Sequence, residues 1–279
     1  MTDATAGTNE SPGESGADAV EDLANTKTLD VLARFGFAVT GLVHILIGVI
    51  ALGLVFGRRG SADISGAFEL LAGATAGPWL LWAACAGCTG LAVWQLSEAT
   101  VRARHLDHGA RAAKGFSSGS LAVGYGSMAL TLGKFALGVR PDSGRYSSDV
   151  TATILRWPWG VPILVGIGLV VIGIGLYFLL KALTRKFKQE LDFQNSKRGK
   201  LLIGLGVAGH LAKGLALILV GLLIVVASVT HQPKESTGLD GSLKALTDHP
   251  YGVYVLVAIA VGLLCYGVFA IIRAKYGRM

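Results

Sequence analysis

Six long runs of apolar residues, separated by shorter polar stretches, dominate the hydrophobic pattern of this chain. They lie at about 35–56, 78–100, 115–138, 158–183, 200–228 and 250–274. Each exceeds the roughly 20 residues that a helix needs to cross the hydrocarbon core of a bilayer. None shows the two-residue alternation of a membrane β-barrel strand, so only helices would satisfy the backbone in lipid. The pattern therefore predicts an all-α integral membrane protein with six transmembrane helices.

The apolar runs form pairs that repeat three times along the chain. A Gly-x6-Gly spacing marks the first helix of each pair, at Gly41 and Gly48, Gly119 and Gly126, and Gly214 and Gly221. The second helix of each pair opens near Pro78, Pro158 or Pro250. Because each unit crosses twice, all units point the same way. We expect parallel helical hairpins at 29–104, 105–196 and 197–279, around a pseudo-threefold axis normal to the membrane.

The loop inside each hairpin carries a short segment with helical spacing of apolar residues. These segments lie at 66–71, 151–155 and 241–246. Trp79, Trp157, Trp159 and Tyr251 flank the prolines, as in the aromatic belt of a membrane interface. We therefore expect three short helices in the interface.

Composition and charge fit a cell-membrane protein. Hydrophobic residues make up 52% of the chain and charged residues 15%, which is too little charge for a soluble surface. The net charge of +7 has no soluble domain to lie on, so nucleic-acid binding is not expected. Lys and Arg are about twice as frequent on the side of the two termini, which places both termini in the cytoplasm. Residues 1–28 are acidic and small, and we expect them to be disordered.

The connection between the fourth and fifth apolar runs is strongly basic. Its cations are Lys181, Arg185, Lys186, Lys188, Lys197, Arg198 and Lys200, with Phe187, Leu191 and Phe193 interleaved. We expect a helical extension on the cytoplasmic surface that binds anionic lipid. Docking of a membrane-protein partner is the alternative.

Several polar residues interrupt the apolar runs and are candidates for an intramembrane pathway. Lys213 and Glu98 should lie at similar depth near the cytoplasmic boundary, so we expect them to pair. Thr40 and His44 belong to the first helix, with His44 near mid-membrane. His210 should lie nearer the cytoplasm, and this mismatch in depth disfavours a haem held by the two histidines.

Other motifs favour packing over chemistry. Trp94, Tyr177 and Tyr266 each follow a glycine by four residues, and could line a vestibule or anchor the helix ends at the interface. Cys85 and Cys88 lie in an apolar helix without basic neighbours, so redox chemistry is not expected. No cluster of acids, bases, nucleophiles or metal ligands is evident, and we predict no enzyme activity, metal or cofactor.

The third repeat carries a recognisable signature. It runs Gly238-Leu239-Asp240-Gly241-Ser242-Leu243-Lys244-Ala245-Leu246, then His249-Pro250-Tyr251-Gly252, and ends in Arg273-Ala274-Lys275-Tyr276. Together with the three hairpins, it resembles domain-of-unknown-function family 1206 over about residues 30–277. The resemblance implies six spans and a bacterial membrane, without an established reaction.

Two classes of function fit these observations best. The first is a non-catalytic structural or interaction partner in the bacterial cell envelope, which fits the scarcity of buried polar residues. The alternative is a small-solute or ion channel or transporter along the pseudo-threefold axis. A haem- or redox-linked membrane subunit is a weaker third possibility.

Overall fold

The regular structure of the chain is helical wherever the computed structural model describes it, at residues 27–100, 107–185, 187 and 197–276. The nine α-helices of these ranges are α1 (Lys27–Val55), α2 (Ile64–Ala72), α3 (Gly77–Thr100), α4 (His108–Ala136), α5 (Ser143–Leu155), α6 (Gly160–Leu183), α7 (Lys197–Val229), α8 (Gly238–Thr247) and α9 (Gly252–Tyr276). The predicted disorder at 1–28 falls outside the described residues except for its last two positions. Half of the predicted surface extension at 181–200 also falls outside them, at 186 and 188–196.

Within the described ranges, five helices are long and apolar enough to cross a membrane. They are α1, α3, α6, α7 and α9. Helix α4 has 29 residues, but its serines, glycines and Lys134 make it more polar than the others. The prediction of a multi-pass helical membrane protein is therefore supported, whereas the sixth crossing is not confirmed.

The long helices pack in the order α4, α3, α1, α9, α7, α6. The three most extensive pairs are α3 with α4, α6 with α7, and α9 with α1, and each joins two different predicted hairpins. Helices α1 and α3 of the first hairpin also pack together, as do α7 and α9 of the third. Over the described ranges, α4 and α6 of the second hairpin make no comparable contact. The row of helices is therefore open between α4 and α6.

Glycines allow the close helix contacts in this row. A Cβ on Gly41 of α1 would lie 2.6 Å from the carbonyl oxygen of Gly267 in α9, and one on Gly48 would lie 2.9 Å from another carbonyl of α9. A Cβ on Gly214 of α7 would lie 2.7 Å from the carbonyl oxygen of Gly175 in α6. These approaches are closer than any side chain permits, as in other small-residue helix contacts in membranes.

Helix α4 does not use its predicted glycine pair in this way. A Cβ on Gly119 or Gly126 would meet nothing within 4 Å. The face of α4 that packs on α3 carries Ser118, Ala129 and Leu132 instead, all of them buried. Gly119 and Gly126 thus share the spacing of the other glycine pairs but not their close contacts, because they lie off the packed face of the helix.

The three short helices α2, α5 and α8 lie together at one end of the bundle, which we call the loop end. The amphipathic segments predicted between the helices of each hairpin are thus helical. Hydrogen bonds connect the loops of all three hairpins. They run from the Ala62 amide to Asp240 (2.7 Å), from the Ser143 amide to the Ser65 hydroxyl (3.4 Å) and from the Thr151 hydroxyl to Ser236 (3.0 Å).

A glycine, and not a proline, begins the second helix of every hairpin. The amides of Gly77, Gly160 and Gly252 each donate to the carbonyl three residues earlier, at 2.8, 3.0 and 3.0 Å. Pro78 follows its glycine, whereas Pro158 and Pro250 precede theirs, so the prolines are not equivalent. A side chain at each glycine would collide with a carbonyl in the last turn of the preceding short helix. The three glycines are visible in the sequence, but the nearby prolines were predicted to begin these helices.

Candidate functional site

Charged and aromatic side chains meet where α1, α6, α7 and α9 come together. His44 of α1, Phe178 of α6, Lys213 of α7 and Tyr266 of α9 form this cluster, which we call the Lys213 site. All four side chains are half-buried. The site thus combines one ammonium, one phenol and one imidazole within otherwise apolar helices.

Lys213 is held by aromatic groups. Its Nζ donates a hydrogen bond to the Tyr266 hydroxyl at 3.1 Å. The same nitrogen lies 4.5 Å from the centre of the Tyr266 ring and 4.9 Å from that of Phe178. The negative faces of aromatic rings attract such a cation, most strongly where water is scarce. In the described part of the chain, no carboxylate lies within ion-pair distance of Lys213.

The predicted pair of Lys213 with Glu98 is wrong. Glu98 is buried and forms an ion pair of 2.7 Å with Lys114 of α4. The positions of the two residues along their helices predict a similar depth in the membrane. Depth alone does not say on which side of the bundle a residue lies. Glu98 faces the α3–α4 contact, whereas Lys213 faces α6 and α9.

His44 has a defined tautomer in this arrangement. Its Nδ1 lies 2.7 Å from the Thr40 carbonyl oxygen, which can only accept, so Nδ1 carries the hydrogen. In the neutral ring, Nε2 is then an acceptor. The ring packs on Tyr266 with a centroid distance of 4.6 Å. The Thr40 hydroxyl bonds the Gly36 carbonyl within its own helix at 2.8 Å, so Thr40 does not line the site.

His210 lies behind the Lys213 site and is almost fully enclosed. Its Nδ1 donates to the Gly206 carbonyl at 2.7 Å. Phe187 stacks on its ring at 5.0 Å with an interplanar angle of 11°, and the rings of Phe178, Phe269 and Tyr266 surround it. Both histidines thus contact Tyr266 and lie closer together than the sequence suggested. A haem at His210 would have to displace several of these rings, so the haem alternative gains no support.

Phe187 lies beside His210, a position that the sequence pattern did not predict. We expected it on the cytoplasmic surface among the basic residues, but its side chain is buried against His210 and Phe269. A Cβ on Gly206 would collide with this ring, so the glycine makes room for it. Gly206 was the sequence feature that could have indicated a ring packed on α7, but nothing in the sequence links it to Phe187.

The basic connection is only partly described. Arg185 and Lys200 are exposed and Lys181 is half-buried. Lys186 and Lys188 lie outside the described residues, and the side chains of Lys197 and Arg198 are not described. Binding of anionic lipid at these positions stays a prediction.

Of the three predicted vestibule aromatics, only Tyr266 lies in the Lys213 site. Trp94 packs edge-on against Phe37 at 6.5 Å. The Tyr177 side chain is 60% exposed, and the adjacent Phe178 contacts Lys213 instead. A spacing of four residues after glycine therefore did not determine which aromatic faces inward.

The chemistry available at this site is that of a hydrogen-bond donor with positive charge. Lys181 and Arg273 lie close enough for their charges to act on the Tyr266 phenol. Within the described ranges, no three His, Cys, Asp or Glu residues are grouped to hold a metal ion. Cys88 is fully buried and Cys85 is directed at the Ala129 carbonyl at 3.3 Å, as packing residues would be.

Comparison with known proteins agrees with the repeated architecture. The chain is 28% identical over 253 residues to the uncharacterized protein YxxB of Bacillus subtilis (strain 168), covering 88% of this chain and 90% of that protein. No solved structure matches it. The family model described as Domain of Unknown Function (DUF1206) matches three times in tandem, at residues 35–102, 116–185 and 208–277. The chain therefore belongs to the DUF1206 family.

Proposed function

We propose that this chain is a non-catalytic protein of the bacterial cell membrane that acts as a structural or interaction partner in the envelope. In this proposal it crosses the bilayer six times as three parallel hairpins around a pseudo-threefold axis. The opening between α4 and α6 is the observation that carries the proposal. It leaves one side of the row available for another membrane protein.

The course of α4 supports the sixth crossing. Near its start, Lys114 pairs with Glu98 in the last turns of α3. After its end, the Ser143 amide bonds Ser65 at the loop end. Helix α4 therefore runs the full length of the bundle beside α3. Its 29 residues correspond to about 43 Å, which exceeds the roughly 30 Å of a hydrocarbon core.

The side of α4 that faces away from α3 supports contact with a partner. Ser120, Gly124 and Ser127 are exposed there. The two hydroxyls bond carbonyls of their own helix, at 2.6 and 2.8 Å, so they cost little in lipid. Small residues of this kind let a second helix approach closely, whereas lipid chains gain nothing from them.

Reporter fusions after Arg59, Val139 and Lys234 test the crossing number. If α4 crosses, all three reporters lie on the same side of the membrane, opposite to a reporter at the C-terminus. A reporter after Val139 that lies on the other side from one after Arg59 would rule out the sixth crossing. The same result would show that the three hairpins do not all have the same orientation in the membrane.

Photo-crosslinking in intact cell membranes tests the partner role. A photoreactive amino acid at Ser127 should give a discrete protein adduct, identified by mass as a second copy or another membrane protein. The same amino acid at Val49, an exposed position of α1, is the control and should give lipid adducts only. Equal lipid-only labelling at both positions would contradict the proposal.

A small-solute or ion pathway is a second candidate, and the Lys213 site is the observation that favours it. A cation among apolar helices is costly and often marks a transport route. Proteoliposomes in potassium nitrate with valinomycin would swell if the chain conducts anions, and Lys213→Met should abolish the swelling. Swelling equal to that of protein-free liposomes would reject an anion pathway at Lys213.

A further inference from the structure

We propose that the Lys213 site binds one oxyanion group, a phosphate or a carboxylate, between the Lys213 ammonium and the Tyr266 hydroxyl. The inference goes beyond the structural role proposed above and does not depend on it. It rests on the geometry of Lys213, on the charges near Tyr266 and on the depth of the site.

Lys213 has donor capacity that its observed partners do not use. An ammonium has three N–H groups and no acceptor. One of them bonds the Tyr266 hydroxyl, and the rings of Tyr266 and Phe178 lie within 5 Å of the nitrogen. Lys213 as a residue is half-buried, so it is not sealed within the bundle. A ligand oxygen could therefore accept a hydrogen bond from Lys213 without displacing these contacts.

The charges around the site are positive. Lys213, Arg273 and Lys181 all act on the Tyr266 phenol. In the described ranges no carboxylate bonds Lys213. A charge-assisted hydrogen bond from an ammonium to an oxyanion is about twice as strong as a neutral one. An anionic ligand would thus supply a counter-charge for Lys213.

The depth of Lys213 suits an oxyanion that enters from the membrane surface. Lys213 lies sixteen residues before the end of α7 at Val229, or about 24 Å along the helix axis. If Val229 marks the boundary at the loop end, Lys213 lies roughly 6 Å inside the opposite boundary of a 30 Å core. The long side chain of Lys213 can extend towards this boundary, where a lipid headgroup phosphate and a water-soluble anion are both present. The shared chemistry is the oxyanion, and the experiment separates the two sources.

The test uses the full chain in lipid-free maltoside micelles and follows the thermal unfolding midpoint at constant ionic strength. One arm adds phosphatidylglycerol stepwise, and the other adds orthophosphate without lipid. We expect a saturable rise of the midpoint in at least one arm. A rise only with phosphatidylglycerol identifies a lipid headgroup, and a rise with orthophosphate identifies a free anion. No saturable rise in either arm would overturn the proposal.

Variants assign the effect to the site. Lys213→Met should weaken apparent binding at least about tenfold, since it removes a charged hydrogen-bond donor. Lys200→Met removes an exposed charge from the same helix and should change binding less than about threefold. Tyr266→Phe keeps the ring, so it tests the hydroxyl even if Lys213→Met folds poorly, and it should weaken binding severalfold. Equal weakening in Lys213→Met and Lys200→Met, or unchanged binding in Tyr266→Phe, would refute the proposed site.

Discussion

A single methyl group added to Gly175 should disrupt the contact between α6 and α7. Its Cβ would lie 2.7 Å from the Gly214 carbonyl oxygen and 2.8 Å from Cγ1 of Ile218. An ordinary contact between carbon and a carbonyl oxygen is about 3.3 Å or longer, so the helices would have to separate by roughly 0.6 Å or more. The carbonyl belongs to the backbone and cannot rotate away. Overpacking of this kind costs about 1–3 kcal/mol, and Gly175→Ala should lower the free energy of unfolding by that amount.

Gly173→Ala is the matched control, because Gly173 lies two residues away in the same helix. A Cβ there would meet nothing within 4 Å. Alanine is also up to about 1 kcal/mol better than glycine in a helix, so this variant should be as stable as the parent chain or more stable. Unfolding by sodium dodecyl sulfate in mixed micelles, followed by tryptophan fluorescence, gives both values. If Gly175→Ala proves as stable as Gly173→Ala, the close contact of α6 with α7 is refuted.

Three further predictions concern the loop end and the bundle core. The Asp63 carboxylate caps α2 by accepting hydrogen bonds from the Ser65 hydroxyl and from a backbone amide. Asp63→Ala removes this cap and should lower the free energy of thermal unfolding by about 1 kcal/mol. Asp63→Asn keeps the cap and is the control. Burial raises the pKa of Asp63, as do the nearby Asp240 and Asp142, whereas the two hydrogen bonds oppose the shift. The folded chain therefore holds this proton more tightly than the unfolded chain. Stability should decline as the pH rises from the ordinary aspartate range towards the raised pKa, and Asp63→Asn should remove this decline in a pH series. Phe187→Ala should lower the free energy of unfolding by sodium dodecyl sulfate by about 3–5 kcal/mol. A decrease below about 1 kcal/mol would contradict the burial of this ring against His210.

The sequence predicted the helical content and the three short amphipathic helices well. Both follow from local patterns: runs of apolar residues long enough for a bilayer, and helical spacing within the loops. The close contacts of Gly41 and Gly214 were also predictable, since small residues at helical spacing mark contact faces in membranes. The pair at Gly119 and Gly126 shows the limit of this inference. The spacing was present, but the packed face of α4 lies elsewhere.

The candidate site was predictable only in part. Lys213, His44 and Tyr266 stood out singly, because charged and polar residues in an apolar run are costly. Their meeting was not predictable, because it depends on which helices are neighbours. The true partner of Glu98 was missed for this reason, and so was the insertion of Phe187 beside His210.

Sequence alone determined that this chain is a helical membrane protein of three similar units, because length and hydropathy are properties of each segment by itself. Tertiary structure decided that the first helix of each unit packs most extensively on the second helix of another unit, with α9 closing on α1. It also decided that Lys213 bonds a phenol and not a carboxylate. The physical reason is that hydropathy defines the depth of a residue in the membrane, whereas only packing defines its direction around the bundle.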